Sequence, residues 1–250
     1  MFDVTLLAIL QGISEFLPIS SSGHLVIAQH VLGVEEPGMR LDVFLHLGTL
    51  AAIFAYYGRS VALLVVCRNW SYLGKIFISA LPAVIVYCLF KDEIEGLFEN
   101  ARMVGALLMF TGAVLIGTRY LPRGHKDVTL LRAVIMGCAQ AIALLPGVSR
   151  SGMTLASARG GRVDSEKSAE FSFLMSAPLI AGAALLEFLK SLDAPASGTI
   201  GWGLTFYGAA VAAVVGYVSL ALLVKSLKGK RFWWFGVYCL IVGLATLVFV

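Results

Sequence analysis

The chain has 250 residues, of which 59% are hydrophobic and only 14% charged, with a formal net charge of +4. Soluble domains run nearer to about 45–50% apolar and about 25% charged, so a soluble globular protein is excluded and a polytopic helical membrane protein is what remains. The small positive excess is confined to a few loops; it reads as membrane orientation and excludes nucleic-acid binding.

The opening "MFDVTLLAIL" lacks the basic region of a cleaved signal peptide, which predicts a retained N-terminus. The apolar stretch from about 4 to 31 is then broken at its middle by "EFLPISSSGHL" (15–25), where a glutamate, three serines and a histidine surround Pro18 and Gly23. Three uninterrupted apolar runs follow, 43–66, 74–90 and 103–120, each close to the roughly 20 residues that cross the hydrocarbon as a helix. A second broken stretch, about 130–158, carries "LLPGVSRSGMT" at its middle, and three more runs follow at 171–189, 202–224 and 232–250. The fold class is therefore all-α: six spanning helices and two interrupted segments in one integral-membrane domain over 1–250. The four cysteines (Cys67, Cys88, Cys138 and Cys239) are scattered without metal or redox spacing and read as free buried thiols.

Loop charge orients these runs. Segments 67–75, 119–132 and 225–231 carry net charges of +2, +3 and +4, whereas 91–102 carries −2 and 190–201 balances Lys190 against Asp193. Positive loops stay inside, so residues 132 and about 162 share the inner side, and the second broken stretch enters and returns as a re-entrant pair. The two halves, about 1–125 and 126–250, also resemble each other: "QGISEFLPISSSG" (11–23) lies on "QAIALLPGVSRSG" (140–152) with shared Gln, Pro, Ser and Gly. An odd number of crossings per half inverts the second copy, which is the repeat pattern of transporter folds with broken helices meeting near the midplane.

Non-helical backbone at membrane depth is tolerated only where protein or a wet cavity surrounds it. Two hairpins entering from opposite faces would bring Glu15, Ser20, Ser21, Ser22 and His24 near Ser149, Arg150, Ser151 and Thr154. An intramembrane charge costs about 2.5–3.5 kcal/mol on insertion scales, so these groups predict a functional polar chamber. Arg150 offers a planar, permanently charged fork for phosphate oxygens, with glycines and hydroxyls that let backbone N–H groups face an anion. Glu15 and His24 supply an acid/base pair with hydroxyls between them. Together these groups suggest phosphoryl transfer on a substrate arriving through lipid. Ser20 reads as readily as a helix serine bonded to a carbonyl. Asp42 and His46 read as structural residues of a helix start near the outer face.

"QGISEFLPISSSGH" and "LLPGVSRSGMT", with "DVFLHLGTLAA" (42–52) and "AEFSFLMSAPLIAG" (169–182) between and after them, resemble the motifs of the undecaprenyl-pyrophosphate phosphatase family, which confers bacitracin resistance. The resemblance implies an inverted-repeat fold with two re-entrant helix pairs. It further implies hydrolysis of undecaprenyl diphosphate to the monophosphate carrier of peptidoglycan synthesis, in the bacterial inner membrane, at a site open to the outer, periplasmic side. It places the family's Glu/Gln-x-x-x-Glu motif on Gln11 and Glu15, the motif serines on Ser21 and Ser22, the histidine on His24, and the phosphate-binding arginine on Arg150 beside Ser149, Ser151 and Thr154. Many members carry Glu where this chain has Gln11, so the implied divalent cation, Mg²⁺ or Ca²⁺, would be held by Glu15, substrate oxygens and water. On this reading Ser21 is the nucleophile with His24 as its base, or His24 (or a water it activates) attacks phosphorus. The oligomeric state is left open, a homodimer included. A transporter or flippase of an anionic polyprenyl lipid is the competing reading, since the fold alone is shared with transporters.

Overall fold

The computed structural model describes residues 1–32, 38–98, 100–122, 124–193, 201–229 and 231–249. Eleven α-helices occur among them: α1 (Phe2–Ser14), α2 (Ser21–Leu32), α3 (Gly38–Val66), α4 (Trp70–Leu89), α5 (Lys91–Leu97), α6 (Ala101–Gly117), α7 (Leu130–Ile142), α8 (Arg150–Gly160), α9 (Ser165–Asp193), α10 (Trp202–Leu227) and α11 (Trp234–Phe249). Five segments are long and apolar enough to cross a membrane: Leu41–Val66, Trp70–Leu89, Ala101–Tyr120, Ser165–Leu185 and Trp202–Leu227. The sixth expected span is α11, an apolar helix of 16 residues. Most of the 190–201 loop (194–200) lies outside the described residues.

Both broken stretches are helix–turn–helix hairpins, and their helices are short. α1 and α7 have 13 residues each, about 20 Å at 1.5 Å per residue, against a hydrocarbon core of about 30 Å. Neither hairpin crosses. The Arg132 guanidinium at the start of α7 donates to the Gly161 carbonyl just after α8 (2.9 Å), so the second hairpin returns to the face it left. In the first, Val4 near the start of α1 shares a buried cluster with Leu41 and Leu45 near the start of α3.

The three basic loops gather on one face, as their charge predicted. Lys75 donates to the Val128 carbonyl (2.9 Å), Asp127 pairs with Lys167, and Lys228 pairs with Glu166. Backbone bonds between Lys126 and its neighbours Arg162 (3.0 Å) and Asp164 (2.9 Å) bind the 124–128 loop to the start of α9. Lys167 beside it holds the exposed Asp127 carboxyl below its usual range. Acidic α5 follows α4, whose 20 residues measure about 30 Å, and therefore lies on the opposite face.

Packing follows the repeat. α1 packs on α10 as α7 packs on α4, α3 packs on α10 as α9 packs on α4, and α3–α9 and α6–α11 pair with their own counterparts. Lipid offers no hydrophobic drive between helices, so close approach of small residues supplies the contact. On α6 and α11 the glycines face each other: a Cβ on Gly243 would lie 2.6 Å from the Gly105 oxygen, and one on Gly236 would lie 2.6 Å from the Gly112 oxygen. The expectation of buried thiols fails for three of four cysteines. Cys239 is buried, whereas Cys67, Cys88 and Cys138 are exposed, because an apolar run in a membrane protein turns many of its side chains to lipid and not to a core.

Candidate active site

The two hairpin turns meet inside the bundle, and the same local chemistry builds both. Ser20 precedes α2 and its Oγ accepts from the Gly23 N–H (3.2 Å); Ser149 precedes α8 and its Oγ accepts from the Gly152 N–H (3.1 Å). These are N-cap bonds, which satisfy helix-end donors that lipid cannot. Ser20 is thus a cap and not a carbonyl-bonded helix serine. The turn before α8 needs Gly147 at φ +94°, a conformation that favours glycine. A Cβ there would also lie 2.4 Å from the Val104 oxygen.

The turns interlock. The Ser151 hydroxyl donates to the Leu17 carbonyl of the other turn (3.2 Å), and a Cβ on Gly23 would lie 3.0 Å from Gly147 Cα. The first residues of the two inner helices, Ser21 and Arg150, therefore face one another, with Glu15 between them. One Glu15 oxygen pairs with the Arg150 guanidinium. The other accepts from Ser21 Oγ (2.7 Å) and from the Gln11 amide (3.1 Å). His46 Nε2 lies 3.9 Å from that same oxygen, and its Nδ1–H donates to the Asp42 carbonyl (2.8 Å), which fixes the ring.

A cavity of about 500 Å³ opens over this cluster. Its polar floor holds Glu15, Ser21, Ser22, Ser149, Arg150 and Ser151, with Asp42, His46 and Gln140 on its walls. The remaining wall is apolar, from Leu144 and Val148 after α7 and from Leu179 and Ile180 of α9. Phe98, which follows α5, lines it as well, so the cavity reaches toward the face opposite the basic loops. Permanent charge at one side and hydrocarbon at the other suit a lipid with an anionic head.

Three expected residues are placed differently. His24 does not line the cavity: its Nδ1–H donates to the Ser20 carbonyl (2.8 Å) and its Nε2 accepts from the Tyr238 hydroxyl (2.8 Å) of α11. One turn into α2, its ring turns toward α11 and stacks on Tyr238. Ser21, at the helix start, turns toward Glu15, so Glu15 and not His24 accepts from the Ser21 hydroxyl. Thr154 is fully buried off the cavity, donating to the Arg150 carbonyl (2.9 Å) and meeting Ser172 Oγ (2.6 Å). Gln11 is also off the cavity wall and acts on Glu15 alone.

Conversely, Asp42, His46 and Gln140 line the cavity. For Asp42 and His46 the four-residue spacing was the available signal, since it puts both on one helix face. For Gln140 it was the match to Gln11. The Asp42 Oδ1 is buried without a hydrogen-bond partner among the described residues. Among those residues no group of three His, Cys, Asp or Glu could hold a metal ion. Glu15 and Asp42 in one cavity do fit an ion bound through one or two carboxylates plus substrate phosphate oxygens.

The model of the family described as bacitracin resistance protein BacA matches residues 4–245. The chain is 37% identical over 251 residues to an undecaprenyl-diphosphatase of Rhodopirellula baltica, covering 99% of this chain and 97% of that protein. It is 34% identical over 272 residues to an undecaprenyl-diphosphatase of Desulforapulum autotrophicum, covering 99% and 98%. It is 36% identical over 229 residues to undecaprenyl-diphosphatase 4 of Bacillus cereus, covering 90% and 88%. With the match running through both hairpins and all the long helices, this chain belongs to the bacitracin resistance protein BacA family.

Proposed function

We propose that the protein hydrolyses undecaprenyl diphosphate to undecaprenyl phosphate and inorganic phosphate at the outer face of the bacterial inner membrane. That reaction recycles the lipid carrier of peptidoglycan synthesis and confers bacitracin resistance. The observation that carries the reading is the Arg150–Glu15–Ser21 cluster, built where two capped helix N-termini meet, in a cavity with one apolar wall. Outward opening is supported by Phe98, on the face opposite the basic loops.

Arg150 and the N–H groups at the starts of α2 and α8 bind the terminal phosphate. The incoming diphosphate competes with Glu15 for the guanidinium. Glu15 keeps its bond to Ser21 and takes the hydroxyl proton as Oγ attacks the terminal phosphorus. The bond from that phosphorus to the bridging oxygen breaks, and undecaprenyl phosphate leaves with the electron pair, taking the proton that Glu15 accepted from Ser21. Water then cleaves the phosphoserine, regenerating Ser21 and releasing inorganic phosphate. A divalent cation held by Glu15 and Asp42 would neutralise charge on the diphosphate. His24 orders the start of α2 through the Ser20 carbonyl.

The test is phosphate release from undecaprenyl diphosphate by the protein purified in detergent, with Arg150→Ala and Ser21→Ala beside it. Release by the wild type, its loss in Arg150→Ala, and a phosphoserine trapped at Ser21 are expected. No release by the wild type, together with lipid movement in vesicles, overturns the reading in favour of a flippase. Full turnover in Ser21→Ala replaces the serine step with direct attack by water.

A further inference from the structure

Gln140 is 2% exposed and lines the cavity, yet neither its amide oxygen nor its amide nitrogen finds a hydrogen-bond partner among the described residues. Leaving a buried polar group unsatisfied costs about 1–3 kcal/mol, so such a group needs an explanation. The repeat explains how it arises. Gln11 and Gln140 occupy equivalent places near the ends of α1 and α7. Four residues on from Gln11 stands Glu15, which accepts the Gln11 amide (3.1 Å). Four residues on from Gln140 stands Leu144, which accepts nothing. The second repeat keeps the amide and discards its partner, in the wall of the cavity that Glu15 and Arg150 also line.

We infer that Gln140 binds the lipid-linked phosphate of the substrate, donating its amide N–H to the group that leaves. This rests on the proposed phosphatase reading. Position assigns the lipid-linked phosphate and not the terminal one. Ser21, Glu15 and Arg150 are clustered at the two helix starts, where the terminal phosphate is attacked. Gln140 stands on α7, one turn from Leu144, in a cavity that Ala143, Leu179 and Ile180 also line. Leu144 also lines a second, almost wholly apolar groove of about 520 Å³ between α4, α5 and α7, with Pro82, Val86, Phe90 and Ile94. Leu144 thus lines both cavities, and a prenyl chain leaving the first past Leu144 would meet the apolar walls of the second with its phosphate near Gln140. Charge grows on this phosphate as the bridging bond breaks, so a preorganised N–H there acts on turnover as well as on binding.

The experiment uses Gln140→Met, which keeps the volume and removes the amide. Undecaprenyl phosphate and inorganic phosphate are titrated as product inhibitors. The variant should weaken inhibition by undecaprenyl phosphate roughly tenfold while inhibition by inorganic phosphate stays within about twofold of wild type. Its Tm should be unchanged or higher, because an unpaired buried amide has been replaced by apolar atoms. Equal weakening for both products, weakening for inorganic phosphate alone, or a lowered Tm accompanying the loss overturns the inference. Gln140→Asn keeps an amide one methylene short and should fall between the two; wild-type inhibition by undecaprenyl phosphate in this variant also overturns it. The thermal shift produced by undecaprenyl phosphate alone reads the same contact without turnover. A wild type that is shifted but releases no phosphate sinks the phosphatase reading and leaves Gln140 as a lipid-phosphate ligand; a shift equal in wild type and Gln140→Met sinks only the inference.

Discussion

At the scale of single residues, Glu15 ties the cluster together, because it contacts the Arg150 guanidinium, the Ser21 hydroxyl and the Gln11 amide at once. Its side chain is 5% exposed and that of Arg150 is 18% exposed, so neither charge is well served by water when its partner is removed. Breaking such a pair costs up to about 3–5 kcal/mol, whereas replacing both members can be nearly neutral. Glu15→Gln should therefore lose turnover and lower the Tm, and Arg150→Met should do the same. The double variant should recover most of the Tm and none of the turnover. A double-mutant cycle on thermal unfolding in detergent, with phosphate release measured alongside, checks this; additive Tm losses would mean that the two charges are not coupled. The sequence pointed to both residues through their residue types. It could not tell which side chain would touch Ser21, since Glu15 and His24 lie six residues before and three residues after Ser20's neighbour on a turn whose backbone is irregular.

At the scale of elements, the two inner half-helices depend on their caps and turns more than on propensity, since α8 has only 11 residues and few apolar ones. Ser149 caps α8 and also receives support from Thr111, whose hydroxyl accepts the Ser149 N–H (3.1 Å) and donates to the Gly147 carbonyl (3.1 Å). Ser149→Ala should destabilise by about 0.5–2 kcal/mol. Gly147→Ala should be worse, because it combines a positive φ with a Cβ placed 2.4 Å from a backbone oxygen. Melting curves in detergent should rank the variants in that order, with Gly147→Ala poorly recovered from the membrane. The proline–glycine–serine breaks and the hairpins were legible in the sequence, because turn residues act locally; the capping roles of Ser20 and Ser149 were not read there. The partners across the turns, such as Ser151 with Leu17 or His24 with Tyr238, were not, because nothing within a dozen residues specifies them.

At the scale of the molecule, the clustering of Lys75, Lys167 and Lys228 with the 124–128 loop and Glu166 defines one face, and α5 marks the other. Positive loops stay inside, and the proposed outward opening of the cavity rests on that rule. Gly96 tolerates a side chain, as a Cβ there meets nothing within 4 Å. In a background with Cys67, Cys88 and Cys138 changed to Ser, Gly96→Cys should react with an impermeant maleimide in intact cells. A background keeping only exposed Cys67, at the basic end of α3, should react only after the membrane is opened. The reverse pattern would invert the protein and turn the cavity to the cytoplasm.

Composition, loop charge and the two interrupted segments determined by themselves that this chain is an all-α membrane protein with two re-entrant hairpins, because hydrocarbon thickness and backbone hydrogen bonding leave few alternatives. They also marked Glu15, Ser21 and Arg150, since charges and hydroxyls are costly at that depth. Only the tertiary structure decided that Glu15 lies between Ser21 and Arg150, that His24 and Thr154 turn away, and that Asp42, His46 and Gln140 turn in. Those outcomes depend on which faces of six separate helices and turns are brought together, and that is a property of packing between distant segments that no local pattern encodes.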